Sequence, residues 1–162
     1  MKCLTWNLEW KTPASLAGRL IQEQAAILDP DVCCYTEVVR TLIPEGYCID
    51  ADPDYGYPNK GGRRKVSLWS RHPWTEVDAT GDEAMPTGRF VSGVTGGIRF
   101  VGACIPWSAA HVSSGRKEDG LGKITSPIAA ALDGFWRDIQ PTECRRVFSA
   151  TITKEFPAWI KR

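Results

Sequence analysis

The chain has 162 residues, a length at which one compact domain buries about 70% of the surface that its unfolded chain exposes. Apolar residues make up 43% and charged residues 24%, which is typical of a globular protein and excludes a fibrous or largely disordered chain. With 20 Lys and Arg against 19 Asp and Glu, the net charge is only +1. Since no overall positive field exists, any phosphate ligand has to be bound by a local cluster.

Six cysteines lie at positions 3, 33, 34, 48, 104 and 144, with no C-x-x-C spacing and mostly in apolar, strand-like runs. Three disulfides are one interpretation, but buried reduced thiols agree better with these runs. The N-terminal segment is interrupted by Lys2, Asn7 and Glu9, so it lacks the apolar run of a signal peptide. No stretch has the apolar length of a membrane span. These features predict a cytoplasmic protein without a membrane partner.

The N-terminal third of the chain predicts a strand, a helix and a second strand. Residues 3–8 predict a first strand with Asn7 near its end. Ser15 is a suitable N-cap for a helix, whose apolar residues recur at helical spacing until the next Asp-Pro pair. The apolar run 31–38 predicts a buried strand that carries Glu37 near its far end.

Short strands joined by tight turns are predicted for the middle of the chain: 47–49, 65–70, 75–79, 89–94 and 98–105. The Gly96-Gly97 pair is typical of a hairpin turn, and the last four strands are expected to follow one another as a meander. Residues 50–65, rich in Pro, Gly and charge, predict a loop. Further on, a polar loop over 108–123, a helix over 126–139 and a strand beginning at 145 are expected.

Four short motifs, TWNLEW at 5–10, PDV at 30–32, TEV at 36–38 and VSLWSRHPW at 66–74, follow one another along the chain. Together they resemble the motifs of the endonuclease/exonuclease/phosphatase superfamily of metal-dependent phosphoesterases. Residues 66–74 (VSLWSRHPW) resemble its strand that ends in a Trp-Ser-basic-x-Pro turn, and residues 93–107 resemble the strands that lead to its mid-chain catalytic loop. The first two motifs of the family resemble residues 5–10 (TWNLEW), followed by 30–32 (PDV) and 36–38 (TEV). The match runs in order from residue 2 to about residue 149.

The resemblance implies an α/β fold, the four-layer αββα sandwich, and hydrolysis of nucleic acid or another phosphodiester with Mg²⁺ or Mn²⁺. In the family, an Asn at the end of the first strand and a Glu at the end of the second help to hold the cation, and Asn7 and Glu37 match these positions. A single Glu plus an amide is a reasonable contribution, because Mg²⁺ keeps several waters and binds substrate phosphate oxygens. The alternative is that Asn7 caps a turn and Glu37 is a solvated carboxylate.

The chain departs from the family pattern in three places. Residues 102–107 lack the His or Tyr of the mid-chain strand, which leaves His111 as a candidate catalytic residue and Trp107 as a candidate substrate-binding residue. The alternative for His111 is a solvated side chain in a polar loop. Where the family has Gly-Asp-x-Asn, residues 149–154 read SATITK, and the chain ends at Arg162 before any Ser-Asp-His motif. The resemblance therefore implies one truncated domain over 1–162, with an incomplete second sheet and with strand edges open to association.

The segment SATITK can be encoded as TCG GCG ACT ATA ACC AAG, and the same bases read in a shifted frame give Gly-Asp-Tyr-Asn-Gln. Our hypothesis is that a one-base deletion near Ser149 explains both the absent motif and the early end of the chain. The nucleotide sequence tests it directly, since codons that do not spell Gly-Asp-x-Asn in another frame would exclude it.

A basic cluster interleaved with aromatic residues lies in the predicted loop: Tyr55, Tyr57, Lys60, Arg63, Arg64 and Lys65. Arg63 and Arg64 are candidates for holding a nucleic-acid backbone while the rings stack on bases, and a solvated basic loop is the alternative. Because the family's later catalytic motifs are absent, the chain by itself is expected to be inactive or nearly so. The competing function is that of a non-catalytic interaction protein that keeps the scaffold.

Overall fold

The computed structural model describes residues 1–53, 61–79, 88–104 and 149–150. The predicted loop 108–123, the predicted helix 126–139 and residues 145–148 lie outside these ranges. In chain order the elements are β1 (Cys3–Asn7), α1 (Leu16–Leu28), β2 (Val32–Val39), a short 3₁₀ helix (Arg40–Leu42), β3 (Tyr47–Asp50), β4 (Arg63–Ser70), β5 (Thr75–Asp78), β6 (Phe90–Thr95), β7 (Ile98–Ala103) and β8 (Ser149–Ala150).

The strands form two four-stranded sheets. The first has the order β1-β2-β4-β3, in which β1 and β2 are parallel and β4 is antiparallel to both β2 and β3. The second has the order β5-β6-β7-β8, in which β8 is parallel to β7. The predicted α/β fold with two sheets is therefore confirmed.

The prediction that residues 65–70 join the meander is wrong. β5, β6 and β7 form an antiparallel meander, but β4 lies in the other sheet, between β2 and β3. The reason is burial, because Val66 and Leu68 of β4 pack between the sheets while Trp69 packs on the opposite face. A strand buried on both faces needs a central position, and turn signals along the chain do not reveal its neighbours.

Two apolar clusters cover the two faces of the first sheet. The inner cluster fills the space between the sheets and includes Cys34, Val66 and Phe100. The outer cluster lies against α1 and includes Ile21 and Cys33. The adjacent cysteines thus point to opposite faces, as strand alternation requires. All five cysteines in the described part of the chain are free thiols.

Helix α1 covers part of the outer face of the first sheet. Its N-cap is Ser15, whose hydroxyl oxygen accepts a hydrogen bond of 3.0 Å from the Gly18 amide, and it ends at Asp29 in the left-handed conformation. Both ends agree with the sequence-based prediction. Across the segments that the structure describes, no helix combines the length and the apolar character needed to cross a membrane.

Gly102 of β7 controls how closely the two sheets approach each other. A Cβ atom at this position would lie 2.7 Å from Val66 Cγ1 and 3.2 Å from Leu68 Cδ2, both in the inner core. We expect Gly102→Ala to lower the free energy of unfolding by about 1–3 kcal/mol in urea denaturation, because the added methyl group overpacks this contact. Gly61→Asn is the matched control, because its Cβ meets nothing within 4 Å and Asn tolerates the positive φ. An unchanged midpoint for Gly102→Ala would contradict the packing of the two sheets.

The thiols should differ in reactivity according to their burial. Burial raises the pKa of Cys33 to about 11 and that of Cys34 to about 12, and both side chains are inaccessible, whereas Cys3 is exposed. In a Cys144→Ser background, we expect an aromatic disulfide reagent at pH 8 to modify Cys3 first in the native protein. Rapid native-state labelling of Cys33 or Cys34, located by peptide mass mapping, would show that the core is more open.

Candidate functional site

Three strands of the first sheet place polar side chains at one end of the sandwich. Because β1 and β2 are parallel, both finish at this end, with Asn7 in register with Thr36 and Glu37 one residue further on. Because β4 is antiparallel to β2, it begins at the same end, where Lys65 lies between register pairs that flank Glu37. We call this region the Glu37 end and define it by Asn7, Glu37, Arg63 and Lys65.

Asn7 closes the turn that follows β1. Its Oδ1 atom accepts a hydrogen bond of 3.1 Å from the Glu9 amide. Backbone bonds from Leu8 to Thr36 and from Trp10 to Glu37 fasten this turn to β2. Turn capping, the alternative role of Asn7, is therefore observed, but it does not exclude ligand binding. An amide oxygen has two lone pairs, and one hydrogen bond leaves the second for another donor or a cation.

Glu37 interrupts the regular alternation of β2. Its φ is +50°, a left-handed conformation that costs a non-glycine residue about 1 kcal/mol or more. Cys33, Tyr35 and Val38 all lie in the outer cluster. In a regular strand every second residue lies on the same face, so a spacing of three between Tyr35 and Val38 breaks the alternation. The strand therefore changes its facing at Glu37. Such local strain is characteristic of positions that hold a functional side chain, and the Glu37 side chain retains 26% exposure.

The Lys65 ammonium interacts with both the Glu37 carboxylate and the Trp10 ring. The Lys65 ammonium lies 2.9 Å from Glu37 Oε1, and its side chain is only 13% exposed. The same ammonium lies 4.8 Å from the centroid of the Trp10 ring, and the Arg63 guanidinium lies 5.1 Å from it. One indole thus interacts with two cations, of which Lys65 is also paired with the carboxylate.

The second sheet contributes Arg89 and Cys104 to the same end. Arg89 is 4% exposed, and its Nη1 lies 3.4 Å from the Cys104 carbonyl oxygen and 3.7 Å from the thiol. Burial raises the pKa of Cys104; the charges of Arg89 and Lys65 act against this rise, and that of Glu37 adds to it. The ends of both sheets therefore lie close together. Because β8 runs parallel to β7, it also finishes towards this end.

The structure separates the two predicted substrate-binding arginines. Arg63 and Arg64 belong to β4 and not to a loop, because they pair with Val39 and Val38 of β2. Strand alternation places Arg63 with Lys65 beside Trp10, whereas Arg64 donates a 2.9 Å hydrogen bond from Nη1 to the Arg63 carbonyl oxygen. The two arginines therefore do not form one patch.

Of the remaining candidate site residues, some lie in the described part of the chain and some do not. Asn7 and Glu37 meet at neighbouring strand ends, whereas His111 and Trp107 lie outside the described residues, as do Tyr55, Tyr57 and Lys60. Trp10 and Arg89 were missed as site residues, and Lys65 was recognised only as part of a basic loop. The Arg-x-Lys spacing of residues 63–65 was the one available signal, since in a strand it places both cations on one side.

The donors at the Glu37 end are compatible with a hard divalent cation. Glu37 supplies a carboxylate and Asn7 an amide oxygen, the donor types that Mg²⁺ prefers. In the described ranges, no three His, Cys, Asp or Glu side chains form a cluster that could hold a metal, so the protein ligands here would be few. The Thr36 hydroxyl, which precedes Glu37, is buried without a hydrogen-bond partner in the described part of the chain. An unsatisfied buried polar atom thus belongs to the residue that precedes Glu37 in β2.

A cavity of about 240 Å³ lies elsewhere, between α1 and the outer face of the first sheet. Its lining is mainly apolar and includes Leu8, Ile21, Tyr35 and Trp69. Asp29 and Arg71, which form an ion pair, also line it, but none of the four residues that define the Glu37 end does, so we do not assign it to the candidate site.

Comparison with known proteins finds similarity only at the level of structure. No family model matches the chain, and no curated protein matches it. An AP endonuclease from Archaeoglobus fulgidus aligns with a TM-score of 0.65 and 15% identity, over 93% of this chain and 56% of that chain. The 3'-5' exonuclease NExo from Neisseria meningitidis aligns with a TM-score of 0.59 and 22% identity, over 93% and 57% of the two chains.

A third solved structure, the endonuclease domain of the telomere-specific retrotransposon TRAS1, aligns with a TM-score of 0.54 and 14% identity, over 98% of this chain and 62% of that chain. The present chain thus spans between one half and two thirds of the length of these structures. At such low identity the similarity establishes the fold alone. The chain has the fold of the endonuclease, exonuclease and phosphatase structures that its sequence motifs resemble.

Proposed function

We propose that this chain is part of a metal-dependent phosphodiesterase that acts on nucleic acid, with Asn7 and Glu37 as ligands of Mg²⁺ or Mn²⁺. The observation that carries the proposal is the arrangement at the Glu37 end. An amide and a carboxylate side chain lie there at the ends of neighbouring parallel strands, and the carboxylate is paired with one of two cations that lie over a single indole ring. Residues 1–162 would form one domain that is shorter than its structural neighbours.

The residues of this end have separate tasks in the proposed reaction. A divalent cation, when bound, supplies Lewis acidity that stabilises negative charge on a phosphoryl oxygen. Glu37 and Asn7 hold that cation, and the short turn fastened to β2 keeps the Asn7 oxygen oriented. Arg63 contacts a phosphate group of the substrate in this proposal, which is supported by its partial exposure and by the position of its guanidinium over the Trp10 ring. His111 and Trp107 remain candidates for further contacts with substrate.

The choice of nucleic acid as substrate is supported by a structural neighbour. The 3' phosphatase NExo from Neisseria has been solved bound to a product DNA hairpin, and it aligns with this chain over 93% of its residues with a TM-score of 0.60. The net charge of the whole chain is only +1, so a phosphate backbone would be bound by the local cations of the Glu37 end and not by the overall charge.

Removal of the Glu37 charge tests the proposed metal site. We expect Glu37→Gln to remove most of the rise in melting temperature that saturating Mg²⁺ gives the parent chain, and with it any Mg²⁺-dependent nicking of supercoiled plasmid, because the only charged ligand assigned to the cation is lost. Glu76→Gln is a matched control, since Glu76 also has a positive φ and an ion pair, with Arg99, but lies on β5. If Mg²⁺ raises the melting temperature of both variants as much as that of the parent chain, Glu37 is not a metal ligand. If the parent chain neither cleaves nor changes its thermal stability with Mg²⁺, the enzyme proposal is wrong.

The role of Arg63 is tested by the salt dependence of DNA binding. We expect Arg63→Gln to weaken binding to a short duplex and to reduce the slope of log K against log salt by about 0.9, the value for one phosphate contact. Lys2→Gln removes an equal charge at the opposite end of β1 and should leave the slope unchanged. Fluorescence anisotropy between 50 and 200 mM salt measures both variants. Equal slopes for Arg63→Gln and the parent chain would exclude a phosphate contact.

A further inference from the structure

The Lys65–Glu37 pair occupies the carboxylate that the proposed function assigns to a metal ion. The ammonium lies 2.9 Å from Oε1, and the side chains of Lys65 and Glu37 are mostly buried, at 13% and 26% exposure. The contact is fixed by strand pairing, because Thr36 pairs with Val66 and Val38 pairs with Arg64 on either side of it. This is a preorganised contact between neighbouring strands, unlike a flexible pair on the surface.

Two cations cannot share this carboxylate without cost. A divalent cation bound to Glu37 would lie well within one Debye length of the Lys65 ammonium, and burial weakens the screening between them. Lys65 therefore has to weaken or give up its contact with Glu37 when such a cation binds. The free energy lost with that contact makes the free energy of metal binding less favourable, so the metal binds less tightly.

The position of Trp10 provides the displaced ammonium with a second partner. The Lys65 ammonium already lies 4.8 Å from the centroid of the indole ring, so a small movement away from the carboxylate keeps this interaction. Arg63 interacts with the same ring at 5.1 Å. Of these two cations, Lys65 is the one that contacts the Glu37 carboxylate directly in the described part of the chain.

From this geometry we propose that Lys65 is an internal competitor of the divalent cation for Glu37, and that it sets the metal affinity of the site. The inference rests on the proposed function, since it assumes that Glu37 is a metal ligand. It assigns to Lys65 a positioning role that the sequence motifs do not indicate. When a metal ion binds, the ammonium moves towards the Trp10 ring, and when the ion leaves, the ammonium neutralises the carboxylate again.

The test measures metal binding without any catalytic readout. Mn²⁺ is titrated into the chain, and the free ion is quantified by electron paramagnetic resonance at fixed ionic strength. We expect Lys65→Met to bind Mn²⁺ about tenfold more tightly than the parent chain, because the competing charge is gone. Lys65→Arg keeps the charge and should bind no more tightly than the parent. Arg63→Gln removes a cation from the same ring and should change the affinity by less than about threefold.

The possible outcomes separate this inference from the proposed function. If the parent chain binds Mn²⁺ and Glu37→Gln does not, but Lys65→Met binds no more tightly than the parent, then Lys65 does not compete and only this inference is wrong. If Lys65→Met and Arg63→Gln tighten binding equally, a general charge effect replaces the specific competition. If neither the parent nor Lys65→Met binds Mn²⁺, the proposed metal site is wrong and the inference with it. Lys65→Gln provides a second neutral variant, and circular dichroism with thermal unfolding confirms that each protein is folded.

Discussion

The parallel pairing of β1 with β2 is the contact on which the candidate site depends. Parallel neighbours finish at the same edge of a sheet, so this pairing alone brings Asn7 and Glu37 to adjacent positions although 30 residues separate them in the chain. Parallel pairing requires a crossover connection, and α1 supplies it on the outer face of the sheet. The packing of α1 on the sheet and the neighbouring positions of the two polar side chains therefore depend on each other.

Close packing of the two sheets brings residues of the second sheet to the candidate site. Gly102 has room only for a hydrogen atom beside Val66, so β7 lies directly over the centre of the first sheet. Arg89 and Cys104 are brought near Lys65 and Glu37 by this contact. A buried arginine is costly unless polar groups surround it, and its presence at this end concentrates charge where both sheets finish.

Backbone strain and charge coincide at the Glu37 end. Glu9, Trp10 and Glu37 all have positive φ angles, and the indole and the carboxylate among them meet the same lysine. The strained turn after β1 places the Trp10 ring over the start of β4, and the strained residue of β2 directs its carboxylate to the same place. Neither feature improves the packing of the core, which is filled by other residues, so the conformational cost is concentrated at the candidate site.

Local physics in the sequence determined the elements of this protein. Apolar periodicity and a capping serine defined α1, and the apolar run with Glu37 near its end defined β2, because both signals act over a few residues. The motif resemblance also identified Asn7 and Glu37 as a pair. Only the tertiary structure decided that β4 leaves the meander to pair with β2, that Arg63 separates from Arg64, and that Lys65 neutralises Glu37. These facts depend on register between strands distant in the chain, which is set by burial on both faces of a sheet, and the Arg-x-Lys spacing of residues 63–65 is the one local signal that points to them.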